Sequence, residues 1–259
     1  MVRVFHRATR GVAAMEGQVV ARFLVDRPIR PGMVRAILDT LSAQGGAYAP
    51  QLVRRSGDDS LRRIAGARPA GLLDEVGEGG TQTTFLRVAE AHPHPVLSFS
   101  VSPTPRTRPT SVTLTVPADS LGSSKEIEQL LGVCKGLYLF LEAAWGVAGL
   151  EEPVRSGPRH LGWANFFGPD LVARLGPARL LTSVAFIVEI LPDGGMMLVT
   201  HPSPEMATSP EGVALRLDIE QNLGLEGVPA ALLGRGSSED RTPRRTPRET
   251  SRSGQGSLG

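Results

Sequence analysis

One cysteine, Cys134, stands in a chain of 259 residues. A single thiol excludes an intramolecular disulfide framework and any zinc or iron–sulfur site built on a cysteine cluster. Aromatics make up only 5% of the chain, and lysine occurs only at Lys125 and Lys135. The other 26 basic residues are arginines. No long uncharged apolar run is present either. The most apolar stretch, 127–150, contains Lys135 and Glu142, and its longest uncharged piece is 143–150. That is far short of the roughly 20 residues a membrane span needs. Residues 1–10 are basic but lack the apolar core of a secretory signal. Met15 is a second candidate start, because patterned sequence begins just after it. The reading is a cytoplasmic protein.

Signature motifs are missing as well. The chain has no G-x-S-x-G elbow, no H-E-x-x-H, no Walker loop and no G-x-G-x-x-G. Its 30 glycines and 21 prolines fall without a period, which excludes collagen-like repeats. What is present suffices for a core, since 41% of residues are hydrophobic.

Charge is split along the chain. From Arg235 onward six arginines (235, 241, 244, 245, 248 and 252) face Glu239, Asp240 and Glu249. The body up to Gly234 holds 22 basic and 23 acidic residues and is nearly neutral. Nothing in that balance calls for nucleic acid as a partner of the body. Beyond Gly234 the chain contains RTPRRTPRET and a single apolar residue, Leu258. This stretch reads as a solvated disordered segment. The resulting organisation is a poorly ordered 1–17, one α+β domain over 18–229, and a disordered tail over 230–259.

Periodicity supplies the elements. Residues 18–25 (QVVARFLV) read as a strand. Pro31 then opens a helix to about Gln44, with Val34, Ile37, Leu38 and Leu41 on one face. Residues 47–80 are ambiguous, with Leu61 and Ile64 suggesting a short helix. Strands are predicted over 83–89, 96–101 and 111–116; the last alternates Val112, Leu114 and Val116 with Ser111, Thr113 and Thr115. Ser123 or Ser124 caps a long helix over 125–145 that is apolar on most faces, and therefore central. After a core strand within 160–167 come a short helix over 170–175, strands at 183–191 and 196–200 about a Pro192-Asp193-Gly194-Gly195 hairpin turn, and a helix over 211–223 with Val213, Leu217 and Leu223 facing inward. This order predicts an α+β fold: a mainly antiparallel sheet covered by helices, with one long buried central helix.

Candidate chemistry is thin. His92 and His94 could ligate a metal, but the flanking Pro93 and Pro95 extend the backbone and no third ligand has metal-site spacing. Gly77, Gly79 and Gly80 surround Glu78, which would repel a phosphate. Cys134 lies mid-helix as a buried, inert thiol. Asp58-Asp59 beside Arg62-Arg63 reads as a solvated charge patch, and His160 and His201 as single residues at element ends. No catalytic residue, metal or cofactor is assigned.

Three of the twelve aromatics fall within five residues, at Trp163, Phe166 and Phe167, before a Gly168-Pro169 turn. The segment HLGWANFFGPDLVARLG (160–176) resembles a segment of the type VI immunity family, bacterial proteins encoded beside type VI or polymorphic toxins. Trp163, Asn165, Phe166, Gly168, Pro169, Leu175 and Gly176 carry the match. Residues 19–41 and 111–121 and the strand–DGG–strand–helix ending resemble the same family at the level of pattern. The connection over 151–160 is shorter than in many relatives, and the basic tail lies outside their pattern. The resemblance implies a non-enzymatic protein that binds and neutralises a cognate toxin in the cytoplasm, as a monomer or small homo-oligomer, with no nucleic-acid or membrane partner. It transfers no catalytic residue, and its motif residues are expected to shape the fold. Two alternatives stay open: an enzyme with an unrecognised polar site near His92 and His94, and an oligomeric subunit joined through the 125–145 helix.

Overall fold

The computed structural model describes residues 3–4, 17–27, 29, 31–43, 48–55, 62–63, 82–86, 96–100, 110–150 and 160–225. His92, His94, Asp58, Asp59, the Gly77–Gly80 loop and the tail, all singled out from the sequence, lie outside these residues.

Among the described residues eleven strands form one sheet. In chain order they are β1 (Arg3–Val4), β2 (Gln18–Val25), β3 (Leu52–Arg55), β4 (Arg62–Arg63), β5 (Gln82–Leu86), β6 (Val96–Ser100), β7 (Thr110–Pro117), β8 (Trp145–Leu150), β9 (Ala164–Phe167), β10 (Ile187–Ile190) and β11 (Met196–Val199). Their spatial order is β1-β10-β11-β9-β8-β2-β7-β6-β5-β3-β4. Every pairing is antiparallel. Five α-helices among the described residues accompany the sheet: α1 (Pro31–Ala43), α2 (Ser124–Leu141), α3 (Pro169–Leu175), α4 (Pro177–Leu181) and α5 (Pro210–Leu223). The predicted α+β class and antiparallel sheet are what the chain forms.

Strand β2 is central, between β7 and β8, which explains its near-continuous apolar sequence. Its Val19, Ala21, Phe23 and Val25 face the layer of α1 and α2, while Val20 faces the opposite layer. On β7 the predicted alternation holds: Val112, Leu114 and Val116 are buried, and Ser111, Thr113 and Thr115 are half-buried. Helix α2 packs on α1 and lies over β2, β8 and β9. A capping box starts it. The Ser123 hydroxyl accepts from the Glu126 N–H, and the Glu126 carboxylate accepts from the Ser123 N–H. On the other face α3, α4 and α5 cover the half of the sheet built from β8 to β11, burying Leu171, Leu180 and Ile219 against Trp145 and Leu198.

Three expectations need correction. The long helix stops at Leu141, not 145, and Trp145–Leu150 is the strand β8. Glu142 adopts a left-handed conformation (φ 47°) that ends the helix, and its N–H closes on Tyr138 and Leu139 carbonyls. Gly146 then lets β8 approach β2, since a Cβ there would lie 2.6 Å from the Phe23 ring. Arg62–Arg63 belongs to a strand paired with β3, not to a short helix. Leu217 is 53% exposed; the buried side of α5 is formed by Gly212, Ile219, Glu220 and Leu223.

Candidate functional site

The aromatic segment singled out in the sequence folds as β9 running into α3. Gly168 caps that helix and donates its N–H to the Ala144 carbonyl at 3.0 Å. Pro169 follows at the first helical position, where a missing N–H costs nothing. Gly176, at φ +89°, ends the helix. Trp163, Asn165, Phe166 and Leu175 are all buried. Phe166 sits between Phe23 and Tyr138, at ring-centre distances of 5.7 and 5.6 Å.

Around this segment the described residues concentrate their buried polar groups. Asn165 is wholly enclosed. Its Oδ1 accepts from the Gly162 N–H at 2.8 Å, and its Nδ2 donates to the Gly162 and Leu198 carbonyls at 3.1 and 3.3 Å. Trp163 donates from Nε1 to the His201 carbonyl at 2.8 Å. The Thr200 N–H donates to the Trp163 carbonyl at 2.8 Å. From α5, the buried Glu220 carboxylate accepts from the Leu161 N–H at 2.6 Å. Its other oxygen lies 3.5 Å from Nδ1 of the half-exposed His160. The network ties together the approach to β9, the exit from β11 and the last turns of α5.

His201 completes the group. Burial, and secondarily the Arg216 charge, hold its pKa below the ordinary histidine value. Neither His201 Nδ1 nor Arg216 Nε has a hydrogen-bond partner among the described residues. Glu220 is committed to a backbone amide, and Cys134 is fully enclosed with its pKa pushed up to about 12 by burial. Among the described residues no group of three His, Cys, Asp or Glu is placed to hold a metal ion. No helix among them is long and apolar enough to cross a membrane.

A second polar lock joins α2 to the β10–β11 hairpin. The Tyr138 hydroxyl donates to Asp193 Oδ2 at 2.8 Å, and the Asp193 Oδ1 accepts from the Gly195 N–H at 2.9 Å. Burial and the Asp193 carboxylate both raise the Tyr138 pKa. Lys135 Nζ reaches both Glu189 oxygens at 2.9 Å. Sequence reading found the aromatic segment and the hairpin turn but missed Glu220, Arg216 and these two locks. For Glu220 a signal existed: it lies three residues before the inward Leu223, on the apolar side of its helix.

The fold and its polar centre define a broad α+β scaffold: helices on both faces of an antiparallel sheet, pinned by buried hydrogen bonds. No family model and no curated protein matches the chain. Among solved structures it is similar to the Pseudomonas aeruginosa T6SS protein PA0821, with a TM-score of 0.58 and 14% identity over 81% of this chain and 73% of that one. That likeness establishes a shared fold.

Proposed function

We propose that this protein is an immunity protein, one that binds and neutralises a cognate toxin of a type VI or polymorphic toxin system in the cytoplasm, without turnover. The observation that carries the reading is the fold shared with a T6SS protein over 81% of the chain. The likeness of residues 160–176 to the type VI immunity family supports it from the sequence side. The buried polar groups are consistent with a binding protein, since each described contact joins parts of the scaffold. Neutralisation by association calls for an interface of about 1,200–2,000 Å² with one tight protein partner.

The test is co-expression with the product of the neighbouring gene, scoring host survival and co-purification. Rescue together with a stoichiometric complex is expected. Soluble expression of both proteins with neither rescue nor complex would sink the reading.

A further inference from the structure

Arg216 carries a charge that the described fold does not answer. It stands half-buried on α5. Its Nε is enclosed without a hydrogen-bond partner, and no carboxylate among the described residues lies within ion-pair range of it. Arg174 and Arg179, on α3 and α4, are exposed, where water serves them. A guanidinium drawn partly out of water calls for a carboxylate to meet it. Glu220, four residues along the helix, has the spacing to supply one. It turns instead to the Leu161 N–H at 2.6 Å and to His160 Nδ1 at 3.5 Å. Arg216 bears on His201, whose ring is 9% exposed and whose Nδ1 is enclosed and equally unpartnered. Apolar surface adjoins this unfinished ion pair. Val213, Arg216 and Leu217 are spaced by three and four residues and share a side of α5. Leu217 is 53% exposed and Val213 half-buried. The short turn Met206–Thr208 packs on the first turn of the helix, and Met206 is 45% exposed.

We propose that the partner protein docks on this side of α5, seating an acidic side chain on the Arg216 guanidinium and apolar side chains against Leu217 and Met206. The inference rests on the function proposed above and names the chemistry of its contact. Charge specifies the occupant. A guanidinium pairs best with a planar carboxylate that accepts two of its N–H groups. The apolar neighbours favour a protein over a free ion, which would leave Leu217 and Met206 in water. An arginine flanked by apolar contact surface is the composition of an interface hot spot. A half-buried charge left unpaired costs the folded chain stability and returns none, which is the trade a binding residue makes. Closing a partner over it removes the remaining water and completes the pair.

The experiment uses the full chain and the co-expressed product of the neighbouring gene, with affinity measured by calorimetry at low and high salt. Arg216→Gln is expected to weaken binding at least about ten-fold and to flatten its salt dependence. Arg179→Gln removes the same charge from the neighbouring helix and is expected to stay within about two-fold of wild type. Arg216→Gln is also expected to melt no lower than wild type, because it breaks no described bond within the chain. Wild-type affinity in Arg216→Gln overturns the inference and leaves the function standing. A clearly lowered Tm overturns it as well, by making the guanidinium a support of the fold. If acetate raises the wild-type Tm while Arg216→Gln binds the partner normally, the site belongs to a free anion. A dimer in light scattering that Arg216→Gln dissociates gives the site to a second copy and overturns the inference too. No complex with the wild-type chain defeats the function itself, and this inference with it.

Discussion

Asn165 offers the sharpest test of whether the aromatic segment is a scaffold. Asn165→Ala removes three hydrogen bonds from a side chain with no exposed surface. The two carbonyls have spare lone pairs and suffer little. The Gly162 N–H, by contrast, loses its Oδ1 acceptor at 2.8 Å in a place water does not reach. An orphaned buried donor costs about 1–3 kcal/mol, and the space left by the amide adds to it. We expect a loss of about 2–4 kcal/mol, a large part of the roughly 5–15 kcal/mol that holds a domain folded. At this size that corresponds to a fall in Tm of roughly 4–16 °C. Asn165→Asp keeps the shape and the acceptor but turns an oxygen toward the Gly162 and Leu198 carbonyls. Its buried charge makes it at least as damaging at pH 7, and its deficit should shrink as acid protonates it. Urea unfolding followed by circular dichroism measures both. An Asn165→Ala loss below about 1 kcal/mol, the net worth of one ordinary hydrogen bond, or an Asn165→Asp protein as stable as wild type at pH 7, would refute the reasoning.

Gly195→Ala is expected to be far worse than Gly194→Ala. A Cβ at Gly195 would lie 2.2 Å from the Tyr138 hydroxyl and 2.7 Å from the Phe167 carbonyl. Gly194, at φ +86° with open space around it, suffers only backbone strain of about 1–2 kcal/mol. Thermal melts of the two variants decide, and equal losses would mean that the Tyr138 lock is not rigid. His201 predicts a pH dependence. Its pKa in the folded chain lies below the ordinary 6.5, so the unfolded chain takes up the proton first. The neutral imidazole's contribution is complete above about pH 6.5 and is lost as pH falls through the depressed folded value. His201→Gln should therefore lose less stability than wild type between neutral and acid pH. Parallel declines in urea midpoint would argue against the burial of this ring beside Arg216.

Elements with one buried face were legible in the sequence because their periodicity reports that face. Strand β7 alternates, α1 repeats at helical spacing, and Pro169 and Gly176 bracket α3. Where an element is buried on both faces the signal fails. Strand β8 is apolar throughout, with burial on both sides of the sheet, and it follows an apolar helix after a three-residue turn. An uninterrupted apolar run does not distinguish helix from strand. Leu217 failed for the opposite reason: its spacing from Leu223 suits a buried stripe, but α5 turns Glu220 inward toward the Leu161 amide. Of the candidate site, the aromatic segment stood out by density alone. Its polar partners did not, because Thr200, His201, Arg216 and Glu220 are single residues tens of positions away, and only the fold brings them to the segment.

That placement separates what resembles from what recognises. A side chain as enclosed as Trp163, Asn165 or Phe166 is out of a partner's reach, so the likeness over residues 160–176 carries the scaffold and says nothing of what the chain binds. Under the proposed function, recognition would lie on open positions, and those follow different physics. Loss of the Asn165 amide lowers the fraction of chains that are folded while leaving the affinity of each folded chain unchanged. If the proposed function holds, Asn165→Ala should therefore protect a host poorly at low expression and recover as the expression level rises, because its binding sites are intact but scarce. Lost protection that no increase in soluble folded protein restores would mean that the amide does more than hold the scaffold.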